Sequence, residues 1–200
     1  MTALLDNAKT YFYNKDYKPA LKIFVKEQDF YSAGLCCLLL NHQKRAKTFW
    51  QYSKHNSPAS MWGLCVLDLI NLKVPNALPG FFQTRAQLEI YLSLFLENNK
   101  IEWAQNLISS SDFLFKANPE SYKFIARALY ANGYFEFAVV FCNKSLEIFW
   151  SDPEALLIMA QCYYLLGDKN KAKHTLVHTL NVAEKYYPAL LFKKILQEND

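Results

Sequence analysis

His174 and His178 stand four residues apart, the spacing at which two imidazoles on one helical face can share a zinc ion. No HExxH glutamate and no third ligand accompanies them, so they are read as solvated histidines on an outward helix face, and no metal site is assigned. The five cysteines are no better arranged: none has CxxC spacing, and the adjacent Cys36 and Cys37 would point in different directions on a helix. Core packing of reduced thiols is the expectation, which places the chain in the cytoplasm. No GxxxxGK(S/T) or GxGxxG run presents backbone amides to a phosphate, and spacing brings together no Ser/His/Asp or Cys/His group. The chain is therefore read as a non-enzyme that needs no cofactor.

The remaining cluster with chemical potential is basic: His42, Lys44, Arg45, Lys47, Lys54 and His55. The formal charge is +4, unevenly spread: residues 1–84 carry ten Lys/Arg against five Asp/Glu, and residues 85–200 twelve against thirteen. Nucleic-acid binders show a longer and more continuous basic stripe, so this cluster is read as a solvated helix face. A hydrophobic share of 52% and an aromatic share of 16% exclude a disordered chain. With only 5 Gly and 7 Pro, a turn-rich β fold is disfavoured. The longest apolar run, Ala33–Leu40, is too short to span a bilayer, and the opening Met1–Asp6 lacks a basic leader. No membrane insertion is expected.

The elements that must carry these residues repeat. Setting Pro119 over Pro153 matches Ala126 to Ala160, Tyr130 to Tyr164, Gly133 to Gly167 and Ala138 to Ala172, all at one constant offset of thirty-four positions. One step back, Leu88, Tyr91, Phe95, Asn99 and Ala104 fall on Tyr122, Ile125, Leu129, Gly133 and Ala138. Each copy is an apolar helix, a turn and a second amphipathic helix. Asn118-Pro119-Glu120 and Asp152-Pro153-Glu154 read as cap, first-turn proline and an acid at the positive helix end. Gly133 and Gly167 stand where a first helix must stop, with Asn99 in the same place earlier.

This pattern resembles the tetratricopeptide repeat (TPR) family. The last copy matches in Leu156, Met159, Ala160, Tyr163, Gly167, Ala172, Leu176 and Thr179, and the middle one in Tyr122, Ile125, Ala126, Leu129, Gly133, Ala138, Cys142 and Ser145. In the earliest copy Leu92 replaces the small residue, no copy keeps the family's Trp, and the closing Pro is displaced. Leu4, Ala8, Tyr11, Ala20 and Phe24 fit a first pair. Gly34, Cys37, Asn41, Ala46 and Trp50 fit a second after a shorter step, from Ala8 to Gly34, which implies a shortened helix before residue 28. Ser57-Pro58-Ala59 opens a further helix to about Leu72 whose partner is missing.

The resemblance implies a single domain over 1–200, an all-α right-handed α-solenoid. Its parts are divergent pairs over 1–73, an irregular connection over 74–83, three repeats over 85–186 and a capping helix over 187–200 with a polar outer face. Val74–Phe82 holds two prolines and a glycine, and it is expected to fold back in place of the missing helix, anchored by Phe81 or Phe82; the alternative is a mobile loop that leaves the helix uncovered as a docking surface, with the phenylalanines as its hot spots.

In the family, first helices line a concave groove that receives a peptide or partner helix. Carried over, the groove residues are Glu89, Ser93, Leu96 and Glu97, then Glu120, Lys123, Arg127 and Tyr130, then Glu154, Leu157, Gln161 and Tyr164. A carboxylate clamp is not implied, since only Lys123 and Arg127 of it are present. The implied function is a scaffold or adaptor holding another protein. The alternative is a small TPR chaperone for a secreted or aggregation-prone client, and an RNA-binding helical repeat is disfavoured for want of a basic groove. Oligomeric state is not legible. Lys123, Arg127, Tyr130 and Tyr164 are expected to be exposed, so that replacing them weakens binding and leaves the melting temperature nearly unchanged.

Overall fold

The computed structural model describes residues 3–198, and every regular element among them is a helix. In order these are α1 (Ala3–Tyr13), α2 (Tyr17–Lys26), α3 (Phe30–Leu39), α4 (Gln43–Ser53), α5 (Pro58–Ile70), α6 (Phe81–Glu97) and α7 (Ile101–Ser109). Then follow α8 (Ser111–Ala117), α9 (Ser121–Ala131), α10 (Phe135–Leu146), α11 (Pro153–Leu165), α12 (Lys169–Val182) and α13 (Tyr187–Glu198). The chain forms two compact units, one running to Gln87 and taking in Glu102–Ser110, the other made of Leu88–Ile101 and the chain from Ser111. The all-α class and the build from helix pairs are as the sequence implies.

In the first unit α1 packs on α2, α3 on α4, and α4 on α5. The tightest junction is at Trp50 of α4, fully buried, with its Nε1 donating to the Tyr31 carbonyl at 3.1 Å. A β-carbon at Gly34 of α3 would lie 2.2 Å from the indole, and one at Gly63 of α5 would lie 2.7 Å from it. Both glycines thus stand where any side chain would exclude the ring that joins three helices. In the second unit alanines take the place of Gly34 in the repeat, and alanines equivalent to Ala46 face them from the second helices. Ala126 and Ala138 of the packed α9 and α10, and Ala160 and Ala172 of α11 and α12, are all 0% exposed.

The turns inside the pairs close alike. The amides of Asp16, His42, Lys100, Tyr134 and Asp168 each donate to the carbonyl five residues back, at 2.8–2.9 Å, which satisfies an orphan carbonyl of the preceding helix. The residue before each has positive φ: Lys15 (64°), Asn41 (65°), Asn99 (55°), Gly133 (83°) and Gly167 (84°). Glycine is used at the last two for its backbone alone, since a β-carbon there would meet nothing within 4 Å. The turns at Lys15, Gln28 and Leu72 adopt the same conformation without a residue type that signals it.

Three expectations need correction. First, α9 begins at Ser121 rather than at Pro119. Asn118 is fully buried and its Oδ1 accepts from the Glu120 amide at 2.9 Å, so it organises a turn before the helix. Second, the second helix of the 85–118 copy breaks at Ser110, leaving the separate α8. The hydroxyls of Ser109 and Ser110 donate back to the carbonyls of Gln105 and Asn106, the competition with backbone pairing that disfavours serine within helices.

Third, the 74–82 connection does fold back along α5, but the phenylalanines do not anchor it. Pro75 and Pro79 are buried, whereas Phe81 is 42% and Phe82 79% exposed, opening α6 with their rings edge to face at 5.4 Å. Pro75, Ala77, Leu78 and Pro79 share the walls of a small cleft with Met61, Leu64 and Cys65 of α5. Gln83 fastens the corner: its Oε1 accepts from the Gly80 amide at 2.9 Å and its Nε2 donates to the Pro58 carbonyl at 3.1 Å. On α6 the buried residues Thr84, Leu88, Tyr91 and Phe95 follow one helical stripe, and Phe82 lies off it.

Because the indole fills the space of a β-carbon, Gly34→Ala should destabilise the chain by about 1–3 kcal/mol in urea titration, the general cost of overpacking. In a Gly34→Ala/Trp50→Phe cycle the two changes should couple favourably by at least about 1 kcal/mol. Additive effects would place the strain elsewhere. At Leu72, which is 71% exposed with φ 56°, glycine should raise the melting temperature slightly, since relief of the left-handed strain of about 1–2 kcal/mol exceeds the added chain entropy.

Candidate functional site

The second unit sets three first helices side by side, each presenting residues at i, i+4 and i+7. These are Glu89, Ser93 and Leu96 on α6, Lys123, Arg127 and Tyr130 on α9, and Leu157, Gln161 and Tyr164 on α11. Successive rows are offset by one repeat, so Glu89, Lys123 and Leu157 are equivalent, as are Ser93, Arg127 and Gln161.

Between α9 and α11 the site is a charge network. Lys123 Nζ lies 2.8 Å from Glu120 Oε1, 2.8 Å from Asp152 Oδ2 and 3.5 Å from Glu154 Oε2. Asp152 divides its work. Its other oxygen caps α11, accepting from the amides of Glu154 at 2.9 Å and Ala155 at 3.3 Å. Arg127 bridges the row, one guanidinium nitrogen 2.7 Å from Glu89 of α6 and another 3.1 Å from Glu154 of α11. Four carboxylates thus surround two cations.

Lys123 is only 7% exposed, which corrects its reading as an exposed groove residue. Burial by itself would push its ammonium pKa down, but hydrogen bonds and charge from Asp152 and Glu120 outweigh this and hold it above the ordinary value of 10.5. Arg127 does remain open, with 38% of its side chain exposed.

The apolar half of the row is closed. Leu157, 5% exposed, joins Ala160, Leu176, Ala189, Phe192 and Leu196 in one cluster made by α11, α12 and α13. Tyr164 packs against the same cluster with its ring edge-to-face on Phe192 at 5.8 Å. These two residues are therefore seats for α13, a second correction to the groove. The other side of α13 exposes Tyr187, Leu191 and Ile195 beside its lysines, less polar than a cap is expected to be. Elsewhere, Tyr130 is half-buried beside Phe135 at 6.0 Å, Gln161 is half-buried, and Glu97 is exposed. Ser93 Oγ accepts from Asn132 Nδ2 at 3.3 Å.

Two residues that sequence reasoning does not assign to the site belong here: Asp152 inside the network, and Tyr186 packed against the α13 cluster. Asp152 was read only as a cap, yet it is also the closest anion to Lys123 along with Glu120. Tyr186 was not singled out. Its phenol pKa is raised, first by burial and then by Glu154 and Asp152. The repeat itself held the signal, since Asn118, Asp152 and Tyr186 occupy one register position in successive copies.

The thiols lie outside this site. Burial pushes Cys36, Cys65 and Cys162 up to about 12 and Cys142 higher still, so they stay protonated. His174 and His178 are exposed on α12. Among the described residues no group of three or more His, Cys, Asp or Glu side chains is placed to hold a metal ion, and no helix is long and apolar enough to cross a membrane.

Equivalent side chains at a constant repeat offset, the shared turn closure and the buried small residues decide the architecture. The chain is built of tetratricopeptide-like helix pairs. No protein-family model and no curated protein matches it. Among solved structures it is similar to YrrB, a TPR protein with an unusual peptide-binding site, at 17% identity over 96% of this chain and 90% of that one, with a TM-score of 0.42. It is also similar to the C-terminal part of a TPR repeat-containing protein from Cytophaga hutchinsonii, at 17% identity over 96% of this chain and 69% of that one, with a TM-score of 0.48.

Lys123→Met should lower stability by about 2 kcal/mol, below the usual cost of breaking a fully buried pair because Glu120 keeps some solvent. The sign with pH follows from the raised pKa. The lysine's contribution is complete below its ordinary value of 10.5 and is lost as pH rises through the higher folded value. Urea titrations across that alkaline range should show the variant losing less stability than the parent. Parallel curves would remove Lys123 from the network.

Proposed function

We propose that the first-helix face of α6, α9 and α11 holds a segment of another protein, and that the chain works as a non-catalytic scaffold or adaptor in the cytoplasm. The observation that supports this reading is Arg127. Its guanidinium is held between Glu89 and Glu154 on two neighbouring helices and is still partly open to solvent. A side chain already fixed by its neighbours loses little entropy when a partner arrives, and a planar guanidinium also offers its faces for stacking. Tyr130, one turn on and half-buried, adds an amphipathic ring of the kind enriched at interfaces. The surplus of carboxylates favours a segment carrying a basic side chain, with the Lys123 cluster as a rigid floor.

Because α13 already covers Leu157 and Tyr164, the proposed site is smaller than the carried-over groove. It comprises Glu89, Ser93, Arg127, Tyr130 and Gln161, with Glu97 at its exposed margin.

A photo-crosslinking residue placed at Gln161 should capture a partner from native lysate, and the same residue at the exposed His174 should not. Arg127→Glu should abolish the Gln161 adduct. Since Arg127 is partly exposed, its melting temperature should fall by no more than a few degrees, as for the loss of about 1 kcal/mol. Capture at His174 alone, or an adduct indifferent to Arg127→Glu, would move the interface off this face.

A further inference from the structure

The first unit contains a cleft of about 640 Å³ lined by Asn41, His42, Gln43, Lys44, Arg45 and Trp103. One wall is the start of α4 and the other is α7, and they are fastened to two adjacent residues at the end of α5, one wall to each. Asn71 Nδ2 donates to Gln43 Oε1 at 2.9 Å, holding the α4 wall. Asn106, one turn beyond Trp103, donates to the Ile70 carbonyl at 2.8 Å, holding the α7 wall. The cleft is therefore braced at its base.

Among the described residues no carboxylate lies within ion-pair distance of Lys44, Arg45, Lys47 or Lys73, and α4 carries no acid along its length. On the α6–α9–α11 face, by contrast, Lys123 and Arg127 both sit on carboxylates. A second groove continues from the shared Gln43 and Lys44 to Lys47 and Lys73, with Asp68 as its one acid. Arg45 is exposed, its guanidinium 5.7 Å above the Phe49 ring, and Trp103 is half-buried.

We propose that this cleft binds a short acidic segment of a partner polypeptide, its carboxylates on Lys44 and Arg45 and an apolar side chain against the Trp103 indole. Unpaired cations attract such a segment from solution and fix its register. A volume of this order holds a few residues. A nucleic acid would need the longer basic stripe that tracks a phosphate backbone, whereas these cations sit on the first turns of α4 and, for Lys73, three residues past the end of α5. The site uses first-unit residues alone and is independent of the Arg127 face.

The test is fluorescence anisotropy on the full chain with a labelled hexapeptide of glutamate and leucine, its lysine-for-glutamate counterpart, and a labelled oligothymidine. The acidic peptide should bind saturably, more weakly as salt rises, and the lysine peptide should not. Lys44→Glu with Arg45→Glu should weaken binding about tenfold or more, as for losing charged contacts at an interface. The milder Lys44→Gln with Arg45→Gln should fall between parent and reversal, and it decides the matter if the reversed variant does not fold. Lys193→Glu with Lys194→Glu, the same charge change on α13, should leave affinity within about twofold, since neither lysine lines the cleft and exposed charges outside a contact are screened. Three results would each overturn the proposal: no saturable binding, equal weakening by the α13 control, or tighter binding of oligothymidine than of the acidic peptide.

Discussion

Trp50 occupies space that β-carbons at Gly34 and Gly63 would fill, and the packing of α3, α4 and α5 depends on that exchange. Helices approach this closely only where one gives up its side chain to the other's bulk. The gain is a large ring removed from water with its Nε1 satisfied by the Tyr31 carbonyl. In the second unit fully buried alanines stand on both members of the packed pairs α9–α10 and α11–α12. Glycine thus has two unrelated uses in this chain. At 34 and 63 it makes room, and at 133 and 167 it permits a left-handed turn in open space.

The second constraint is that each first helix leaves a row of residues for the next helix to cover. At one register position the chain has Glu89, then Lys123, then Leu157. What covers the row decides which chemistry is tolerable there. Lys123 meets Asp152 and Glu154 at the start of α11, so a buried ammonium is neutralised. Leu157 meets Ala189, Phe192 and Leu196 of α13, so an aliphatic side chain fits. Exchanging the two would bury a charge among apolar groups at a cost of several kcal/mol, even though both positions are equivalent in the repeat.

Charge satisfaction then distinguishes the α6–α9–α11 face from the α4 face. In one, carboxylates and cations tie α6, α9 and α11 together, and only the edges of the network face solvent. In the other, the cations of α4 face solvent with no acid on their own helix and Asp68 as the one acid of the adjoining groove. A network satisfied from within contributes shape and rigidity to a surface, whereas an unsatisfied one contributes a field.

The helix class, the pairs at a constant repeat offset and the turns at Asn99, Gly133 and Gly167 were legible in the sequence, because caps, turn residues and apolar periodicity are local properties of a few neighbouring residues. The turns at Lys15 and Leu72 were not, since the closing bonds from Asp16 to Tyr11 and from Lys73 to Asp68 hold ordinary residues in a conformation they do not announce. Of the carried-over groove, the positions were right as a row, and Arg127 and Tyr130 are where the register puts them. Periodicity could not say that Lys123 is sealed by carboxylates from the next repeat, or that α13 closes over Leu157 and Tyr164. Nor could composition show that prolines and Gln83, rather than Phe81 and Phe82, secure the connection along α5. A residue's burial depends on which distant segment lies against it, and a repeat unit records its own faces but not its neighbour's.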